Sequence, residues 1–185
     1  GGGGGRGGGV GRAKVDGSLR RYPEARLHEV RKGECSVEDV GRAARGGFWI
    51  RPGASGLVEY ARLTGEVEDN LRQIIDGLSR QYDYLVLDTG AGISDLVLYT
   101  ASLAEEVLVV ATPEPASIAD AYATIKVLAL MQQRTALKVV FNQARDAAEG
   151  RKLAEQLQQV VDRFVNIQLA KSLNLEHLGF IPVCP

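Results

Sequence analysis

Three short apolar runs separated by stretches of helical periodicity restrict this chain to one kind of sheet. Tyr84–Leu87, Val107–Val110 and Leu137–Phe141 are apolar almost throughout and do not alternate between apolar and polar. Strands of that kind are buried on both faces, which is the signature of a parallel sheet covered by helices. The intervening stretches carry the covering elements. Leu71, Ile74, Ile75 and Leu78 predict a helix across 66–81; Ile93, Leu96, Val97, Thr100 and Leu103 predict a second. Ile118, Ala121, Tyr122, Ile125 and Leu128 mark a third helix, and Leu153, Leu157, Val160, Val161 and Phe164 a fourth. A last extended piece is expected over Leu178–Val183, and Phe48–Ile50 reads as a short strand closed by Arg51-Pro52-Gly53. The fold class is therefore α/β, a mostly parallel sheet with helices on both faces and right-handed crossovers.

The amino-terminal part is different in kind. Residues 1–9 are glycine apart from Arg6, a run with high backbone entropy and nothing to bury, so it is expected to be disordered. Residues 10–46 are basic and poor in apolar positions, with one short helix expected near Leu27–Val30. Residues 10–185 are read as a single domain. The formal net charge of −1 supplies no basic surface for nucleic acid. Two cysteines, Cys35 and Cys184, make no disulfide framework and fit a reducing cytoplasm. No apolar run reaches the roughly 18 residues of a spanning helix, and the glycine start does not resemble a signal peptide.

In an open parallel sheet, ligands bind outside the carboxyl ends of the strands. The residues that follow the apolar runs are thus the candidates: Asp88, the Thr112–Pro115 segment and Asn142. A carboxylate at Asp88 can hold a hydrated magnesium ion. Gly90 and Gly92 just after it let the backbone turn sharply and approach a phosphate. The same residue types also serve structure. Asp88 can be a turn former, Ser94 a helix cap, Asn142 a turn cap, and Pro113-Glu114-Pro115 a plain strand-to-helix turn.

Several segments in order carry a resemblance. Tyr82 to Ser94, with Asp88-Thr89-Gly90-Ala91-Gly92-Ile93 at its centre, is similar to the Walker B and switch II stretch of the MinD/ParA (deviant Walker) P-loop ATPases. Gly33–Val40, Pro52–Gly56, Thr112–Tyr122, Asn142 and Gly179–Pro182 match the flagellar-number regulator branch of that family, often called FlhG or FleN. The resemblance spans about 170 residues of the chain. It implies a P-loop NTPase-like three-layer sandwich, ATP and Mg²⁺ as cofactors, and a nucleotide-dependent homodimer in the complete protein. Flagellar assembly or regulatory proteins are the implied partners, with no nucleic acid. By the same resemblance Asp88 positions magnesium and the attacking water, with Gly90 and Gly92 beside it. Asn142 bonds the adenine, and the backbone of Ile181, Pro182 and Val183 lines the base pocket. Asp120 and the Pro-Glu-Pro segment shape the dimer face. The implied location is cytoplasmic, peripheral at the inner membrane in the complete family.

The chain departs from the family at one decisive part. Members carry an apolar strand and a Lys-Gly-Gly-Val-Gly-Lys-Thr/Ser loop whose amides, lysine and hydroxyl hold phosphates and metal. The nearest match, Gly8-Gly9-Val10-Gly11-Arg12-Ala13, lacks both the lysine and the hydroxyl and has no strand-loop-helix context. A different register fits better, with Gly11–Asp16 as the end of the Asp-x-Asp-x-Gly-x-x-Asn-x-Asp segment and the phosphate loop upstream of residue 1. Gln143 stands where the family often has Arg, and Cys184 where an acidic residue is usual. The expectation is an incomplete or decayed ATPase domain, without the first strand and P-loop and without any membrane-binding tail. Little or no ATP hydrolysis is expected of it. A non-catalytic pseudo-ATPase adaptor and a ParA-like partitioning ATPase are the alternative readings.

Overall fold

The computed structural model describes residues 42–43, 47–50 and 63–183. The glycine-rich 1–9 segment, the Leu27–Val30 helix, the Gly33–Val40 and Pro52–Gly56 matches and both cysteines lie outside the described residues. The chain divides into two compact units, Gly1–Gly90 and Ala91–Pro185, each described by itself.

In the first unit, β1 (Arg42–Ala43) pairs antiparallel with β2 (Trp49–Ile50). The apolar run at Phe48–Ile50 is thus a strand, though of two residues only. α1 spans Gly65–Ser79 and buries Val67 and Leu78. Its start is fixed by Thr64, whose hydroxyl accepts the Val67 N–H at 3.4 Å, and by Glu66 and Glu68, whose charges oppose the positive end of the helix dipole.

The run at Tyr84–Leu87 departs from the sequence expectation. It forms no strand among the described residues, and Tyr84 and Val86 are 91% and 88% exposed. Leu85 and Leu87 are half-buried, so exposure alternates as it does along a strand. The run supplies strand-forming side chains, but a ladder also needs a neighbouring backbone to pair with. No described residue supplies one.

The second unit holds the parallel sheet. α2 (Asp95–Leu103) leads to β3 (Leu108–Ala111), α3 (Pro115–Gln132), β4 (Ala136–Ala144), α4 (Ala147–Phe164), a 3₁₀ turn (Asn166–Gln168) and β5 (Asn174–Pro182). The strand order is β3-β4-β5, and both pairings are parallel. Pro115 at the first position of α3 suits a residue whose N–H would have no partner there in any case. Ser94 caps α2 by accepting the Val97 N–H, which bears out the structural reading of that serine.

Crossovers of one hand between sequential parallel strands bring α3 and α4 to the same side of the sheet. There they form one core: Val109, Val139, Phe141 and Leu137 of the strands meet Ile125 and Leu128 of α3 and Leu157 and Val161 of α4. Each such side chain removed from water contributes about 1.5–3 kcal/mol before entropy is counted. The residues between them project to the opposite face, and Leu108 and Val110 there remain 50% and 56% exposed. Gly150 lets α4 lie close on β5, because a Cβ at that position would come within 3.2 Å of the Phe180 Cβ.

α2 has no fully buried residue, though Leu98 and Ala101 pack against the core. Polar bonds hold its far end. Gln132 Nε2 donates to the Leu98 carbonyl at 2.7 Å, and the Arg134 guanidinium donates to the carbonyls of Ala101, Ala104 and Glu105. A cation on the last carbonyls satisfies acceptors that a helix end leaves orphaned.

β5 begins four residues before the expected Leu178, at Asn174. Amides fix that entry together with the buried Leu173. The Leu173 N–H donates to Asn166 Oδ1 at 2.7 Å, and Asn166 Nδ2 donates back to the Leu173 carbonyl at 3.1 Å. Gln158 Oε1 accepts the Leu175 N–H at 2.8 Å. Asn166→Ala leaves the amide of buried Leu173 unpartnered and should cost about 1–3 kcal/mol in urea denaturation. An unchanged midpoint would mean that the β5 entry is fixed by something else.

Candidate functional site

Because all three strands of the second unit are parallel, their carboxyl ends lie along one edge. Three segments gather there: Thr112–Pro115 after β3, Asn142–Ala144 at the end of β4, and Ile181–Val183 at the end of β5. Their order on the edge follows from the register, in which Asn142 pairs with Ile181 and Ala144 with Pro182.

Asn142 neighbours Phe141 in β4, so the two project to opposite faces. Phe141 is wholly buried under the helices, whereas Asn142 lies half-buried on the other side. Its side-chain amide has no hydrogen-bond partner among the described residues, so the structure does not use it as the turn cap its residue type allows. Gln143 falls out of the ladder, as a bulge between Asn142 and Ala144, with φ +63°. After β3, the Thr112 N–H donates to the Ser117 hydroxyl at 2.9 Å and ties the Pro-Glu-Pro loop to the start of α3.

The chain then enters α4 through Asp146. Its Oδ1 accepts the Glu149 N–H at 2.8 Å, while the Glu149 carboxylate accepts both the backbone N–H and the Nε of Arg145, at 2.7 and 3.0 Å. The Glu149 N–H, followed in effect by the Ala148 N–H and the nearby Arg145 and Arg151 charges, holds the Asp146 carboxyl below its ordinary range.

The sequence-derived residues thus divide between the units. Asn142, Ile181, Pro182 and Val183 come together on the β4–β5 edge. Asp88 and Gly90 belong to the first unit, where both are exposed. Gly92, at the start of the second, has φ +94°, which a Cβ would strain; around both glycines there is open space. Among the described residues no group of three or more His, Cys, Asp or Glu is placed to hold a metal ion. Sequence reasoning did not find the Gln143 bulge, since no residue pattern marks a left-handed glutamine.

A parallel sheet with crossover helices and ligand-type residues at its carboxyl edge is the architecture of the MinD nucleotide-binding fold. The MinC:MinD cell division protein complex of Aquifex aeolicus matches with a TM-score of 0.62 at 23% identity, over 95% of this chain and 66% of that one. MinD of the same organism gives 0.59 at 21% identity, over 89% and 62%. In sequence, the chain is 38% identical over 173 residues to the antiactivator FleN of Pseudomonas aeruginosa, and 32% identical over 157 residues to the flagellum site-determining protein YlxH of Helicobacter pylori. These alignments take in 94% and 84% of this chain, which spans 60% and 50% of the two relatives' lengths. An ATP-binding protein of Methanocaldococcus jannaschii is 31% identical over 133 residues, covering 71% of this chain and 49% of its own length. No protein-family model matches the chain. The chain belongs to the MinD/ParA-type ATPase family. Within it, the chain is related to FleN.

The Asp146 cap gives a pH test. A carboxyl whose folded pKa is depressed stabilises above its unfolded value, 3.8, and the stabilisation is lost as pH falls through the folded value. Wild type should therefore melt above Asp146→Ala at pH 7, and the gap should narrow below about pH 4. A gap that stays constant down to pH 2.5 would rule out an ionised cap.

Proposed function

We propose that this chain is a MinD-like nucleotide-binding protein of flagellar number or placement control, and that the carboxyl edge of its second unit receives an adenine base. The observation that carries the base site is the Asn142 amide beside the end of β5, without a hydrogen-bond partner among the described residues. An amide offers both a donor and an acceptor to a purine edge. Its neighbour Pro182 has a carbonyl but no N–H, so that stretch of backbone favours a base with an exocyclic amino donor over one with a carbonyl. Adenine has the amino group there and guanine the carbonyl. Ile181 and Val183, both exposed, add apolar surface for the ring. The flagellar reading draws on the relatedness to FleN and to the site-determining protein YlxH.

Asp88 is the residue for a magnesium ion in this reading, with Gly90 and Gly92 allowing close approach of a phosphate. The metal, when bound, would neutralise phosphate charge; the carboxylate's part is to hold its water shell. The sequence contains no lysine-bearing phosphate loop, so we expect base recognition without turnover from this chain alone. Nucleotide-driven dimerisation and binding to flagellar regulators belong to the same proposal. A partitioning role is less well supported, because the overall net charge of −1 gives it no positive evidence.

Calorimetric or fluorescence titration separates these readings. ATP should bind more tightly than GTP, and Asn142→Ala should weaken ATP about 5–10-fold, the value of one good hydrogen bond. Equal affinity for ATP and GTP, insensitive to Asn142, would sink the adenine site. Magnesium-dependent phosphate release lost in Asp88→Ala would refute the expectation of no turnover.

A further inference from the structure

At the pole of the second unit opposite Asn142, a cavity of about 410 Å³ opens beside the amino ends of β4 and β5. It lies between the turn from α3 into β4 and the 3₁₀ turn that leads to β5. Leu130, Leu169 and Ala170 give it an apolar wall, while Arg134, Thr135 and Lys171 line its polar side. Hydrogen bonds fix these walls. The Thr135 carbonyl accepts the Asn174 N–H at 3.2 Å, and Gln168 Nε2 donates to the Phe164 carbonyl at 2.6 Å. Apolar walls with a few convergent polar groups are what a ligand-accepting cavity presents. No residue of the carboxyl edge takes part in it.

Large apolar side chains are left in water next to this cavity. Met131 follows the lining residue Leu130 and is 73% exposed; Ile167 precedes the lining residue Gln168 and is 77% exposed. Phe164 and Val160 continue the series back along α4, both exposed, at the four- and three-residue steps that share one helix face. Charge at this pole has one sign. Arg134 and Lys171 line the cavity, no carboxylate stands among its lining residues, and the Arg163 guanidinium lies over the Phe164 ring at 5.1 Å. Asp162, the neighbouring acid, is engaged elsewhere, accepting from Gln158 Nε2 at 2.8 Å and from Asn166 Nδ2 at 2.6 Å. The whole chain carries a net charge of −1, so this cationic border is a local feature.

We propose that this pole is a docking surface for an acidic amphipathic helix of a partner protein. Its apolar row lies on Met131, Phe164 and Ile167 with one side chain in the cavity, and its carboxylates meet Arg163 and Lys171. Helices that dock in grooves use anchors spaced in this way. The recess favours a peptide over a lipid surface, because a single anchor side chain fills a concavity whereas a membrane receives what protrudes. A second copy of the same face would set like charges together, which argues against self-association. The proposal is independent of the nucleobase reading, and it leaves the carboxyl edge free while the partner is bound.

The probe is a synthetic helical peptide of glutamate and alanine with leucines at i, i+4 and i+7. Titrated into the ¹⁵N-labelled chain, it should shift the backbone amide resonances of Leu169, Ala170 and Lys171 and leave that of Asn142 in place. Ile167 and Lys171 are exposed, so changing them should not alter the melting temperature. Ile167→Ser should weaken the peptide about 5–10-fold and Lys171→Glu about 3–10-fold, the second effect shrinking as salt rises. The same peptide with lysine in place of glutamate should bind at least about tenfold more weakly. The proposal is overturned if no resonance at this pole moves with millimolar peptide, or if the lysine peptide binds as well. Co-sedimentation with phosphatidylglycerol vesicles that is lost in Ile167→Ser would assign the surface to a membrane instead. Concentration-dependent dimerisation lost in the same variant would assign it to a second copy, and either result overturns the peptide reading.

Discussion

Everything in the second unit depends on β4 being paired on both sides. It is the middle strand of three, hydrogen-bonded in parallel to β3 and to β5, and its inward residues Leu137, Val139, Phe141 and Ala144 are all buried. Both crossover helices take their positions from that face. A parallel ladder gives no independent stability to two strands alone, so removing either neighbour would leave buried backbone groups of β4 without partners. The same centrality brings Asn142 to the edge: the residue that follows the most deeply buried ring in the sheet emerges on the other face, where side chains are not consumed by packing.

The elements legible in the sequence were those whose apolar pattern and local chemistry agreed. α3 and α4 show why: Ile125, Leu128, Leu157 and Val161 repeat at helical spacing and each is buried as the spacing requires. β3 and β4 read correctly in position because each centres on a short, mostly apolar run, although only one face of that run is buried. The family assignment was equally legible, since ordered segments spread over most of the chain carry more information than any one motif. Two elements did not follow the pattern. The start of β5, Asn174 to His177, is mostly polar with Leu175 as its one apolar residue, and is held in part by the amides of Gln158 and Asn166, contacts that join distant residues and leave no periodic trace. Tyr84–Leu87 has the right side chains for a strand and, among the described residues, no backbone paired with it, and pairing is a property of the neighbour.

The residues proposed for the site came from the sequence, and their geometry did not. Asn142, Ile181, Pro182 and Val183 were named from resemblance, and the register of β4 against β5 accounts for their proximity. Nothing in a Phe-Asn-Gln-Ala string announces that the glutamine is left-handed, because that conformation is imposed by pairing on either side. Pro182 illustrates the reverse case: its missing N–H is evident from the sequence alone, but its bearing on base choice needs the strand end on which it lies.

The attachment of α2 has a consequence of another kind. This helix buries no residue completely and is tied at its far end by Arg134 and Gln132, side chains that begin just where α3 ends. Its hold on the sheet is therefore separable from the core's own cohesion. An element held by a few polar bonds and two partly buried side chains has less to lose on opening than the paired central strand, so its amide protons are expected to exchange by local opening before those of β4. The segment leading from Gly92 into α2 can thus change position at little cost to the sheet beneath it.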